Sequence, residues 1–303
     1  MTAPATQRTL AAPIAGPVVL DLDMPHGQIE VRVCDTDRAE IDLTTPAPAD
    51  SPAGQAIADA TLAAEMRALT VRVPTLDGGA TIISHTRGGR VVVSGNVNSG
   101  IIVSGGNITI TGGSIRGGQI ISGATVNPGV RATVWLPNGS ALRVRTKTAE
   151  VLTTGDLEWM DFASTSGDLL LEACRKLAVS STSGDIRADI ADHAEVRTVS
   201  GDIALGRTET ATAASTSGDI RIGDFGGNAR LTTVSGDITV HATEPGQITA
   251  RASSGDIHIS APADLAAATG ENGLIVDAHS RSGDVRTPRP LTSPAHPRRP
   301  RRR

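Results

Sequence analysis

Apolar and polar positions alternate at period two over much of the chain, the pattern of strands with one buried face. In the N-terminal part, residues 18–22 alternate aliphatic side chains with acids, His26-Gly27 reads as a turn, and Ile29, Val31 and Val33 alternate with polar residues. A further apolar run at 41–43 follows the polar stretch 35–38, which gives a strand, turn, strand meander. Ser51 before Pro52 has the form of a helix cap followed by proline in the first turn, and the alanine-rich run behind it extends the predicted helix over 52–67. Strand pattern returns at Leu69, Val71 and Val73. Residues 82–123 are of low complexity, with Gly95, Gly100 and Gly105 five apart, and read as a β insertion of very short strands packed on the main body. Strand pattern resumes at 130–136 and, after the turn Pro137-Asn138-Gly139, at 142–145.

From Thr154 onward the alternation is closed again and again by one dipeptide. Gly-Asp stands at Gly155-Asp156, Gly167-Asp168, Gly184-Asp185, Gly201-Asp202, Gly218-Asp219, Gly236-Asp237, Gly255-Asp256 and Gly283-Asp284, at intervals of 12, 17, 17, 17, 18, 19 and 28 residues. A sustained period of this size marks a solenoid. Aligned on the glycine, the position two residues later is apolar in every copy: Leu157, Leu169, Ile186, Ile203, Ile220, Ile238, Ile257 and Val285. Four residues after the glycine come Trp159, Leu171, Ala188, Leu205, Ile222, Val240, Ile259 and Thr287, and five before it Glu150, Phe162, Val179, Val196, Ala213, Leu231, Ala250 and Ala278. The column between the first two is mostly polar and includes Arg187, Arg221 and His258, so it is assigned to solvent. If each copy is one coil, like residues lie about 4.8 Å apart in ladders, and each buried Ile or Leu contributes about 1.5–3 kcal/mol. The core ladder expected from this is Ile186, Ile203, Ile220, Ile238 and Ile257.

The turns have their own chemistry. Ser precedes the glycine in seven copies and Thr154 in the first. In this reading Gly supplies a positive φ without steric cost, while Asp and Ser bond backbone amides within the turn. The alternative, a metal ladder of aspartates, needs more oxygens than one Asp in 17 residues supplies. No metal is expected.

Composition sharpens the picture at a few points. Aromatic residues are 1% of the chain, two Trp and two Phe with no Tyr, so the core is aliphatic and a base-stacking platform for nucleic acid is excluded. The two cysteines, Cys34 and Cys174, form no redox or metal spacing. The formal net charge is −4, but residues 287–303 carry six arginines and no acid, which leaves about −10 on residues 1–286. Five prolines in that stretch preclude a helix or central strand, so 288–303 reads as a disordered arm. Arg298, Arg299, Arg301, Arg302 and Arg303 either bind an anion or form a solvated end. Residues 1–16 read as a disordered N-terminus; Pro13 and Pro17 interrupt any secretory apolar core, and no window has the run of about 18–20 apolar residues of a membrane span. The expectation is a soluble, cytoplasmic protein.

The fold expected is therefore all-β: a single-stranded β-solenoid of about 17-residue coils over 137–287, preceded by an N-terminal β region over 17–136 with a meander and one short helix. Serial T-x-S-G-D-I copies after a strand meander, clearest at residues 181–186, 198–203, 215–220 and 233–238, resemble the bacterial putative-adhesin family of β-strand-repeat proteins, a domain of unknown function. The resemblance implies a β-solenoid and no catalytic residues. No H-E-x-x-H, G-x-S-x-G or phosphate-loop motif occurs, and the seven histidines are scattered. Catalytic, cofactor-binding and metal-ligating residues are thus expected to be none. The leading reading is a non-catalytic scaffold or adhesin-like module that contacts a protein, a glycan or another copy of itself, with no specific nucleic acid. The alternatives are a carbohydrate-active β-helix enzyme and an anion-binding adaptor that works through the arginine tail.

Overall fold

The structure, a computed structural model, describes residues 6–75, 90–94, 107–111, 129–268 and 273–288. Its strands are β1 (Thr6–Ala11), β2 (Val19–Asp23), β3 (Gln28–Cys34), β4 (Glu40–Thr45), β5 (Thr61–Glu65), β6 (Ala68–Arg72), β7 (Arg90–Ser94), β8 (Asn107–Thr111), β9 (Arg131–Pro137) and β10 (Ala141–Arg145). There follow the long strands β11 (Glu150–Ser164), β12 (Leu169–Ser181), β13 (Ile186–Arg197), β14 (Ile203–Ser215), β15 (Ile220–Thr233) and β16 (Ile238–Ala252), then β17 (Ile257–Ser260), β18 (Leu274–Ser280) and β19 (Val285–Arg286). Two short helices, α1 (Pro52–Ala58) and α2 (Ala263–Ala267), are present among the described residues.

The chain is a β-solenoid with two principal faces. Each long strand bends at a corner, so its first half lies in one parallel sheet and its second half in the other. One sheet stacks β6, β2, β10, the second halves of β11 to β16, and β18. The other stacks β9, β3, the first halves of β11 to β16, β17 and β19. The inward ladder of this second sheet runs in register through Ala132, Ile29, Val151, Leu169, Ile186, Ile203, Ile220, Ile238, Ile257 and Val285. The facing ladder of the first sheet runs through Val71, Leu22, Val144, Phe162, Val179, Val196, Ala213, Leu231, Ala250 and Ala278. All of these are buried except Val285 and Ala278 in the final rung. The predicted Ile186, Ile203, Ile220, Ile238 and Ile257 are at most 1% exposed. A core that is aliphatic but for the buried Phe162 and Phe225 is stable here because every rung covers the one before it.

Several boundaries differ from those expected. The stack begins well before residue 137, because β6 with β9, β2 with β3, and β10 with β11 are coils of the same cross-section. Strands do form in 17–45, but β2 and β3 each bond to strands from elsewhere in the chain rather than to one another, as successive sides of one coil. The predicted helix over 52–67 stops at Ala58, and Thr61–Glu65 forms the strand β5 antiparallel to β6. Alanine propensity is a weak prior, and the otherwise bare edge of β6 decides the matter. Residues 6–11 of the expected disordered N-terminus form β1, antiparallel to β4, with Leu10 and Ala12 buried. The long last interval is a single coil: Ile257 pairs directly with Val285, and α2 is inserted at the corner between β17 and β18. Within the glycine-rich 82–123, β7 and β8 pair parallel in a small separate sheet; the remainder of that segment lies outside the described residues, as does 289–303 of the arginine tail.

Candidate binding surface

Side chains on the turn edge hold successive coils together. The Gly-Asp turns from Gly167-Asp168 to Gly283-Asp284 stack directly on one another. The Asp185 amide N–H donates to Asp168 Oδ1 at 2.9 Å, and the same bond recurs from Asp202 to Asp185, Asp219 to Asp202, Asp237 to Asp219, Asp256 to Asp237 and Asp284 to Asp256, at 2.8–3.0 Å. The carboxylate column is thus a coil-to-coil hydrogen-bond ladder, not a set of bonds within each turn. Charge-assisted bonds of this type are worth about 1.5–3 kcal/mol when formed to an ionised group, less where water competes. Among the described residues no cluster of three or more His, Cys, Asp or Glu is placed to hold a metal.

Glycine is needed in these turns for a reason other than the one expected. None of the ladder glycines has a positive φ. Instead a Cβ on Gly184 would lie 2.0 Å from the Gly167 carbonyl oxygen, and one on Gly201 would lie 1.9 Å from that of Gly184. The same close approach continues through Gly218, Gly236, Gly255 and Gly283. Nor does the serine before the glycine cap its amide. The hydroxyl three residues before does, with the N–H of Gly167, Gly184, Gly201 and Gly218 donating to Ser164, Ser181, Thr198 and Ser215.

Gly155-Asp156 does not belong to this ladder. Thr154 pairs with Arg32 and Asp156 with Ala173, which places the dipeptide mid-coil, at a bulge where Gly155 does have φ +87. The missing turn is Thr146-Lys147-Thr148-Ala149-Glu150, a degenerate T-x-S-G-D. There the Ala149 N–H donates to Thr146 Oγ1 at 2.8 Å, and the Gly167 Cβ position abuts the Ala149 carbonyl. Its spacing of 18 residues from Gly167 fits the period, whereas the 12 from Gly155 does not.

That shift of register moves Trp159 out of the core. It pairs with Lys176, half-buried, in an outward column that continues to His193 and Thr210. The neighbouring outward column runs Arg143, Asp161, Ala178, Glu195 and Thr212. Together they line an open depression of about 580 Å³ on the first sheet. Arg143 organises its floor: the Nε donates to Asp161 Oδ2 at 2.9 Å and the guanidinium carbon sits 5.6 Å from the Trp159 ring centroid. Such a stack contributes about 0.5–1 kcal/mol at an exposed site. Glu195 pairs with Arg197, whereas Lys176 and His193 have no ion-pair partner among the described residues. Cys174, buried behind this wall, is unreactive; burial, with Asp156 and Asp192 nearby, pushes its thiol up to about 12. His258 is exposed on the other sheet, paired with Thr239 and Arg286. Arg298, Arg299, Arg301, Arg302 and Arg303 lie outside the described residues.

Residues 90–299 match the family model Toastrack DUF4097. The chain belongs to this family. The match spans the Gly-Asp repeats of the Toastrack chain and all but the start of the glycine-rich segment before them. Curated proteins yield no match. Among solved structures, a putative adhesin from Parabacteroides distasonis is similar to this Toastrack chain at 12% identity, covering 94% of this chain and 97% of that one with a TM-score of 0.45. A putative adhesin from Bacteroides fragilis is similar at 12% identity, covering 93% and 96% with a TM-score of 0.42. A putative lipid binding protein from Parabacteroides distasonis is similar at 10% identity, covering 92% and 96% with a TM-score of 0.35.

Proposed function

We propose that this Toastrack chain is a non-catalytic binding module and that the depression around Trp159 takes a carbohydrate chain. The observation that supports this most strongly is Trp159 itself: one of four aromatic side chains, held at the surface by Arg143 among a mixed set of donors and acceptors. An indole offers an apolar face to the C–H side of a sugar ring with little entropy to lose. Arg143 and Lys176 donate, Asp161 and Glu195 accept, and Thr210 and Thr212 do both. Outward columns repeat about every 4.8 Å along the stack, a spacing comparable to one sugar ring, so an oligosaccharide laid along the columns meets a new row at each residue. The lining side chains stand on strands that are paired in register from β10 to β14, which favours binding with little reorganisation.

The test is titration calorimetry against a panel of oligosaccharides, with turnover followed in parallel. Trp159→Ala is expected to weaken binding at least about tenfold, the equivalent of roughly 1.4 kcal/mol, without altering the fold. Binding that Trp159→Ala leaves unchanged refutes the site. Turnover of a bound glycan that disappears in Asp161→Asn or Glu195→Gln establishes the carbohydrate-active enzyme instead.

A further inference from the structure

The two ends of the stack are finished differently. At the N-terminal end, β5 pairs antiparallel with β6, β4 pairs antiparallel with β9, and β1 pairs antiparallel with β4. Arg8 ties β1 to the carbonyl oxygens of Ile57 and Ala58 at the end of α1. At the other end, β18 and β19 have no strand beyond them among the described residues. Val285 is 41% exposed, whereas every earlier member of its ladder is at most 2% exposed. Leu274, Val276 and Ala278 are only partly covered, whereas Ile248 and Ala250 one rung earlier are 0% exposed. Ile275, at 58%, adds an apolar side chain outside. The aspartate ladder stops here too, with six carboxylates bonded to the next coil and Asp284 meeting none.

The bonding of β18 shows which of its groups are unused. Gly273 C=O accepts from Gly246 N–H and Arg281 N–H donates to Ala252 C=O, so the odd-numbered residues face β16. By alternation, the N–H and C=O groups of Leu274, Val276, Ala278 and Ser280 point away from the stack. Such an edge, with inward side chains that are small or apolar, is a template for another strand.

We propose that this edge is an interface between two copies of the chain, related by a two-fold axis, in which β18 pairs antiparallel with its counterpart. A second copy is the occupant that the geometry fits. A two-fold axis across the stack reverses strand direction and presents the same unpaired groups and the same half-covered Leu274, Val276 and Ala278 from both sides. Head-to-tail stacking is blocked, because the N-terminal end of the next copy is already covered by β1, β4 and β5. The residues that follow β19 in the sequence are poorly suited to the next rung, since Pro288, Pro290, Pro294, Pro297 and Pro300 each lack an N–H to donate. The inference is independent of the Trp159 site, which lies on the outer face of earlier coils.

Sedimentation velocity on the full chain from about 1 to about 100 µM tests it, since mass action shifts a dimer over such a range. Hydrogen exchange on the same samples locates the contact. The expected result is a monomer that converts to a dimer, with exchange in 274–280 slowing as concentration rises and β1 and β5 unchanged. Ala278→Pro removes one outward N–H and spares the bonds to β16, so it should weaken dimerisation at least about tenfold while the melting transition persists. A chain that stays monomeric, with β18 protected at all concentrations, overturns the proposal in favour of a covering segment of the same chain. A dimer whose protection appears elsewhere, or that Ala278→Pro leaves intact, overturns it as well.

Discussion

From β12 to β17 the coils follow one another in chain order, and their turns are Ser-Gly-Asp. In the first three coils the chain doubles back, so that β2 and β3 are sandwiched between the coil of β6 and β9 and that of β10 and β11. The turns there are Gly27-Gln28, Ala149-Glu150 and, between β6 and β9, the whole of residues 73–130. Both regions nevertheless share one pair of aliphatic ladders without a break. The difference teaches that the ladders set the cross-section, whereas the Gly-Asp motif is one means of crossing from sheet to sheet at close backbone spacing. An insertion of more than fifty residues is tolerated at a turn because loop-closure cost grows only slowly with length, about 0.6 kcal/mol per doubling.

The largest effect should come from crowding a repeat turn. Gly218→Ala places a Cβ 2.0 Å from the Gly201 carbonyl oxygen and is expected to cost about 4 kcal/mol in urea melts. Gly16→Ala, in the N-terminal region, has its nearest neighbour at 3.7 Å and only a φ of +87 to contend with, so about 1 kcal/mol is expected. Equal costs at the two sites would show that backbone contact is not what distinguishes the repeat. Next, Ile203→Ala opens a cavity in the ladder and should cost about 3 kcal/mol. Asp219→Ala removes the acceptor for the Asp237 N–H and should cost about 1.5 kcal/mol, while Asp219→Asn, which retains an acceptor, should lose less than half of that.

Smaller effects probe the N-terminal coils. Thr153 occupies the ladder of Val134, Val31, Leu171 and Ala188, and its buried Oγ1 has no hydrogen-bond partner among the described residues. Thr153→Val should therefore stabilise the protein by about 1 kcal/mol. The smallest is a pH effect. Burial, with the nearby Lys147, lowers His26 below its ordinary value of 6.5, and its Nδ1 lies 2.8 Å from Thr148 Oγ1. The folded state therefore binds this proton less readily than the unfolded chain. Its contribution is present above pH 6.5 and is lost as pH falls through that value toward the lowered one. His26→Gln should flatten the decline in melting temperature over that window.

The repeat was legible because a solenoid writes its cross-section into the sequence once per coil: Ile186, Ile203 and Ile220 announce their ladder by spacing alone. The N-terminal coils were not, since β6 and β9 are separated by more than fifty residues and no period survives such an insertion. Thr146-Lys147-Thr148-Ala149-Glu150 is hidden because Ala and Glu stand where the other turns have Gly and Asp, and Gly155-Asp156 mimics the turn motif out of register. That same misregister concealed Trp159, which looked like a core position; its interval of 12 rather than 17 was the available signal. The end of the helix at Ala58 is decided by a strand edge formed by distant residues, information that local propensity does not carry.

The central claim, that like residues of successive coils touch along one axis, is tested most directly by two double-mutant cycles. Ile203→Val with Ile220→Val joins adjacent rungs; Ile203→Val with Ile257→Val spans three rungs, about 14 Å apart. The predicted result is a coupling energy of about 0.5 kcal/mol or more for the first pair and additivity for the second. Additivity in both cycles, or equal coupling in both, would contradict it.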